Sequence, residues 1–230
     1  DGSVSVNDTI ANFPVTLENA KTYIVTASGI VGDLTTPFTL NVNDMGREAS
    51  TDTNTVQFAV LHGATDAPAV DVEAFGVGNL VNNLSYGEFT DYLSVAPDVY
   101  RLRVKPAGSQ TVVARFEADL SGLKGGAAYV FASGLLAGSP DFGLFAALAD
   151  GTVLELPAYN PTARLQVIHN SPSPTVDVYA NGGLLLDNFV YRTATPFIDV
   201  TADALINIGV ALETSASVND TLVNFPVTFE

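Results

Sequence analysis

The chain carries one stretch twice, and this recurrence constrains its architecture more than any other feature. Residues 5–16 read Ser-Val-Asn-Asp-Thr-Ile-Ala-Asn-Phe-Pro-Val-Thr, and residues 217–228 read Ser-Val-Asn-Asp-Thr-Leu-Val-Asn-Phe-Pro-Val-Thr. The copies lie 217 − 5 = 212 residues apart, and each leads to a glutamate, Glu18 and Glu230. Self-similarity at a fixed period signals modules stacked in series. A chain that begins and ends in the same kind of unit reads as a window on a longer tandem array.

A second recurrence halves that period. His62 and His169 each follow an apolar run, and Asp71 and Asp177 each sit in a Val-Asp-Val triplet, 177 − 71 = 106 residues apart. Tyr23–Gly29 resembles Tyr129–Gly134 at a similar spacing. The expected organisation is therefore the C-terminal half of one repeat over residues 1–50, a complete repeat over 56–157, and the N-terminal part of a further repeat over 163–230. The polar runs 43–55 and 158–162 read as linkers.

Within each repeat the pattern is short and alternating. Tyr100 to Lys105 places three basic side chains on one face and three apolar ones on the other. Asp150-Gly151 marks a tight hairpin turn, and Tyr23, Val25 and Ala27 read as an inward face. About seven short strands at ten-residue spacing, with no sustained 3.6-residue period, predict an all-β fold: tandem immunoglobulin-like β-sandwich domains of about 106 residues.

Charge and composition narrow the partners. With 25 acidic and 9 basic residues the net charge is −16, which repels phosphate backbones and argues against nucleic acid. The absence of cysteine removes disulfides and thiolate metal sites. No apolar run is long enough for a membrane-spanning helix, and no leader peptide is visible at Asp1-Gly2-Ser3.

The stretches Leu61–Val72 and Ile168–Gly182 resemble the openings of a domain-of-unknown-function family of exported bacterial and archaeal proteins. Its pattern is His-x-Ser-Pro, then x-x-Pro-x-Val-Asp-Val-Tyr, then x-Asn-Gly. The second opening fits closely; the first has Gly63-Ala64 for Asn-Ser and Glu73 for Tyr. The resemblance implies an extracellular all-β module, and it brings no catalytic residues.

Sites of chemistry are scarce. His62 and His169 lack neighbours for a zinc centre and read as side chains that bond turn backbone. Asp66, Asp71, Glu73, Asp177 and the Asn7-Asp8 and Asn219-Asp220 pairs offer oxygens to Ca²⁺, but without a ligand loop. The expectation is no resident cofactor, with calcium as the one candidate. No nucleophile elbow or phosphate-binding loop occurs, so no enzyme is expected. Asn7, Asn83 and Asn219 head sequons and are candidate glycosylation sites. Lys21, Lys105 and Lys124 are the amines available to an isopeptide bond.

These observations predict a structural repeat of an extracellular or cell-surface filament that self-associates with identical repeats. The inter-unit junction is expected at Ser5, Val6, Phe13, Val15, Ser217, Val218, Phe225 and Val227. The alternative is an adhesin module in which Tyr86, Tyr92, Tyr159 and Tyr191 stack on a glycan or matrix partner.

Overall fold

A computed structural model describes residues 2, 4–202 and 204–229. The chain is all-β, apart from one-turn 3-10 helices at Val6–Asp8 and Val218–Asp220. It divides into two units, residues 1–159 and 160–230.

Unit 1 opens with a hairpin of β1 (Ile24–Ser28) and β2 (Thr39–Asn43). Nine strands follow: β3 (Val56–His62), β4 (Val70–Ala74), β5 (Gly78–Leu84), β6 (Leu93–Val95), β7 (Val99–Pro106), β8 (Ala114–Asp119), β9 (Ala127–Ser133), β10 (Gly143–Leu148) and β11 (Val153–Glu155). They form one sheet ordered β11-β10-β9-β3-β6 and another ordered β5-β4-β7-β8. Within these two sheets β3 and β9 run parallel and all other neighbours antiparallel.

The sheets meet face to face as a sandwich. Phe58 and Val60 from β3 pack against Val81 and Leu84 from β5. Leu102, Val104 and Phe116 of the other sheet pack against Leu144 of β10. Each large side chain removed from water this way contributes about 1.5–3 kcal/mol before entropy is counted. The outer face of β3 and β9 is also covered, because Ala59, Leu61 and Tyr129 lie under Ile24, Phe89 and Tyr92. Burial on both faces explains why Val56 to Leu61 is almost unbroken in apolar character.

Strand β8 runs from Ala114 to Asp119, where apolar and polar residues alternate cleanly. Two details differ from the expectation. Strands β5 and β6 add to the seven expected. The face of Val25 and Ala27 points to solvent, and Ile24, Thr26 and Ser28 face the other way. It is Ile24 that packs on the outer face of β3 and β9.

Unit 2 holds β12 (Thr162–Leu165), β13 (Val176–Ala180), β14 (Gly183–Phe189), β15 (Ile198–Thr201), β16 (Leu205–Leu212) and β17 (Val223–Thr228). Its sheets are β12-β15 and β14-β13-β16-β17. These are β3-β6 and β5-β4-β7-β8 again. The register agrees pair by pair: Phe58 faces Leu93 as Leu165 faces Ile198, and Leu102 faces Phe116 as Ile208 faces Phe225. Even the irregularities recur, with the same two register shifts in β4–β5 and β13–β14.

Candidate functional site

His62 closes β3, and His169 lies four residues beyond the end of β12. His62 Nε2 lies 2.9 Å from the Pro68 carbonyl, and His169 Nε2 lies 3.0 Å from the Pro174 carbonyl. A carbonyl only accepts, so Nε2 carries the proton in each ring. The other nitrogen of His169 accepts from the Ser171 N–H at 3.2 Å. That of His62 is buried with no hydrogen-bond partner among the described residues. The backbone around both rings is alike: the N–H donates to the Glu88 or Thr193 carbonyl, and the carbonyl accepts from Gly87 or Arg192. These are buried side chains that splice the loop after the first strand to its neighbour.

The two aspartates tie the bulge in the next hairpin. Asp71 accepts the Asn83 N–H at 2.7 Å and the Gly108 N–H at 2.9 Å. Asp177 accepts the Asn188 N–H at 2.8 Å and the Ser215 hydroxyl. Asn83 and Asn188 adopt φ of 48° and 49°, left-handed values that asparagine tolerates. The Ser215 hydroxyl, then the Asn188 N–H, holds the Asp177 carboxyl below its ordinary value of 3.8. The Asn83 N–H, then the Gly108 N–H, does the same for Asp71.

The β1–β2 hairpin replicates β9–β10. Val25 pairs with Val42 as Val130 pairs with Ala146, and Ala27 pairs with Leu40 as Ala132 pairs with Leu144. Gly29 and Gly134 follow the first strands with φ of 83° and 86°. Ile30 donates to the Thr36 carbonyl as Leu135 donates to the Pro140 carbonyl. Phe13 and Phe38 meet edge to face at 5.9 Å and 62°, and Phe116 and Phe142 at 6.0 Å and 62°. The face that carries Leu144 in β10 is sandwich core. Its counterpart in β1–β2 is open, with Val25 48% and Val42 39% exposed.

Unit 2 shows the complementary opening. Phe116 is 6% exposed, whereas Phe225 at the same register is 50% exposed. Among the described residues, β12 pairs only with β15, whereas its counterpart β3 has β9 on its second edge.

The openings that carry these ties fall inside two stretches, residues 56–151 and 163–230, that match the family model described as Domain of unknown function (DUF4397). The chain belongs to this family. No curated protein matches it. Within the matched stretches, His62 and His169 bond the Pro68 and Pro174 carbonyls, and Asp71 and Asp177 span the bulges.

The remaining candidate carboxylates are engaged by backbone N–H groups, or in the case of Glu73 by a lysine. Asp66 accepts from Leu136 and Ala137 at 2.9 and 3.1 Å, and Glu73 pairs with Lys105. Asp8 accepts from Val4 and Ser5, and Asp220 from Ala216 and Ser217. Among the described residues no three acidic or histidine side chains are grouped to hold a metal ion. Three of the four loop tyrosines lie under guanidinium groups, Tyr92 under Arg47, Tyr159 under Arg101 and Tyr191 under Arg192. Tyr86 meets the His62 ring edge-on. Lys21 pairs with Glu18 and Asp44.

The sequon residues Asn7, Asn83 and Asn219 are exposed. Of the expected junction residues, Ser5 and Ser217 cap identical 3-10 turns, accepting from Asn7 and Asn219 at 3.2 Å. Val218 begins the second turn, Val15 is exposed, and Phe225 and Val227 lie on β17. The Val6 side chain and Glu230 lie outside the described residues. The likeness of Tyr23–Gly29 to Tyr129–Gly134 in the sequence corresponds to this hairpin replica, with Val-x-Ala-Ser-Gly standing both at Val25–Gly29 and at Val130–Gly134. Sequence reading overlooked a cavity of about 260 Å³ between the sheets of unit 1, lined by Phe58, Leu102, Leu144 and their neighbours. Among the described residues no helix is long and apolar enough to cross a membrane.

Proposed function

We propose that this chain is a structural module of an extracellular or cell-surface fibre, built of head-to-tail immunoglobulin-like β-sandwiches whose open faces are closed by neighbouring units. The observation that carries this reading is the recurrence of β3–β8 as β12–β17 in the same register, with the signature side chains spent on holding turns. The task is mechanical: laddered strands and buried apolar faces resist extension, and repetition supplies length. A net charge of −16 keeps such rods apart laterally and soluble. The reading assigns no catalysis and no resident cofactor.

The test is electron microscopy of the source cells with an antibody raised against residues 56–159. Label at regular intervals along surface filaments is the expected result. Label confined to the cell interior, or to dispersed particles in the medium, overturns the proposal.

A further inference from the structure

We propose that the β1–β2 hairpin of one copy completes unit 2 of a second copy, with β1 adding to residues 166–169, the stretch that continues β12, in the parallel register that β9 adopts on β3. The inference rests on the fibre reading for its purpose, and it names the partner surfaces.

The occupant follows from what fills the same place in unit 1. There β9 pairs parallel with β3, Val60 beside Val130 and His62 beside Ala132. Its hairpin partner β10 then brings Leu144 onto the core, with Phe142 packed against Phe116. Unit 2 repeats the acceptor half, since β12 and β15 pair as β3 and β6 do and Phe225 stands in the register of Phe116. The β1–β2 hairpin repeats the donor half: its strand register, its glycine turn and its Phe38 all match. Outside β2, the edge of β1 is unpaired among the described residues. Ile24 holds the hairpin on unit 1 by the opposite face. The apolar face is therefore presented outward while its back is anchored. Transferring the register places Val25 beside Val167, and Ala27 beside His169.

The exchange has a built-in competitor. Phe13 occupies in the hairpin the place that Phe225 would take. Yet residues 10–16 form no strand, whereas the matching residues of β17 are laddered onto β16 over six pairs. The intermolecular partner offers Phe38 a ring on a hydrogen-bonded sheet; the intramolecular one offers a ring on an unpaired segment. Because donor and acceptor are different surfaces of one chain, addition is heterologous, and it continues open-ended wherever the rotation between copies does not close it.

The 230-residue chain is tested by sedimentation at rising concentration. Concentration-dependent oligomers are expected, and Val25→Asp, at a solvent-facing position, abolishes them with unit 1 still folded by circular dichroism. Leu165→Asp on the acceptor does the same. An equimolar mixture of the two variants forms dimers and nothing larger, since one intact donor meets one intact acceptor. Phe225→Ala weakens association roughly a hundredfold or more, whereas Phe13→Ala strengthens it by removing the competitor. The chain has no cysteine of its own, so Val25→Cys with Val167→Cys reports the register by an intermolecular disulfide. Val25→Cys with Leu165→Cys stays largely reduced. A chain that remains monomeric, or a mixture that fails to dimerise, overturns the junction. If the source filaments are still labelled, the fibre reading survives that failure and another segment closes unit 2.

Discussion

At the scale of single residues, the two histidines and the two Val-Asp-Val aspartates are structural ties, and their removal is expected to register in stability. Asp177 is buried, and its carboxylate satisfies a backbone N–H and a hydroxyl. Asp177→Asn replaces a charge-assisted acceptor with a weaker one and introduces a donor, at a cost of about 1–2 kcal/mol in chemical denaturation. Its pKa is depressed below 3.8 in the folded state. The stability it adds is therefore complete above the unfolded value and fades as pH falls through the lower folded value. The acid limb of the wild-type stability curve should be shallower in the variant. His62→Ala and His169→Ala each remove a buried ring and its bond to the Pro68 or Pro174 carbonyl and are expected to cost about 1–3 kcal/mol. Nitrogen NMR should find both rings as the Nε2–H tautomer. Tyr129 is the opposite titration case, because burial pushes its phenol up to about 12 against a slight pull from the Thr26 hydroxyl. The unfolded chain releases that proton near 10, so stability is lost as pH rises from 10 toward 12. Of the eight tyrosines, Tyr129 should be among the last to give a phenolate absorbance.

At the scale of elements, what the sequence made readable depended on how regular each strand is. Tyr100 to Lys105 and Asp150-Gly151 announce β7 and the β10–β11 turn because alternation and turn chemistry agree there. Strand β5 escaped notice for two physical reasons: Asn79, Asn82 and Asn83 are poor strand formers, and the bulge at Asn83 breaks the two-residue period. Strand β6 is three residues long and carries no period at all. The direction of the β1 face was unreadable, because alternation tells which residues share a side and not which side is covered. Gly29 and Gly134 give a test at this scale. A Cβ at either would collide with the carbonyl of Pro37 or Asp141, and both have positive φ. Gly134→Ala is expected to lower the stability of the sandwich by about 1–3 kcal/mol. Gly29→Ala opens only the β1–β2 turn and leaves the sandwich's denaturation midpoint within error.

At the scale of the molecule, two copies of one strand plan sit in different states of completion, and this difference should appear as a gradient of protection. In unit 1, β3 and β9 occupy the middle of a five-stranded sheet with both faces covered. Among the described residues, the three clusters of buried apolar side chains all belong to that unit. In unit 2, Ile208, Val210 and Val227 occupy the core positions of Leu102, Val104 and Ala118 yet are only half-buried, and Phe225 is exposed. Local opening is governed by buried contacts and laddered hydrogen bonds. Backbone amides of β3 and β9 should therefore exchange most slowly and those of β12 and β15 among the fastest, despite their shared pattern. Hydrogen exchange followed by mass spectrometry, at low protein concentration, reads both sets in one experiment. Equal protection in β3 and β12 would mean that unit 2 is closed by contacts within the single chain, and the open face would then be no site of assembly. Slow exchange that develops in residues 166–169 and β1 together, and only as concentration rises, would report the two segments finding each other in different copies.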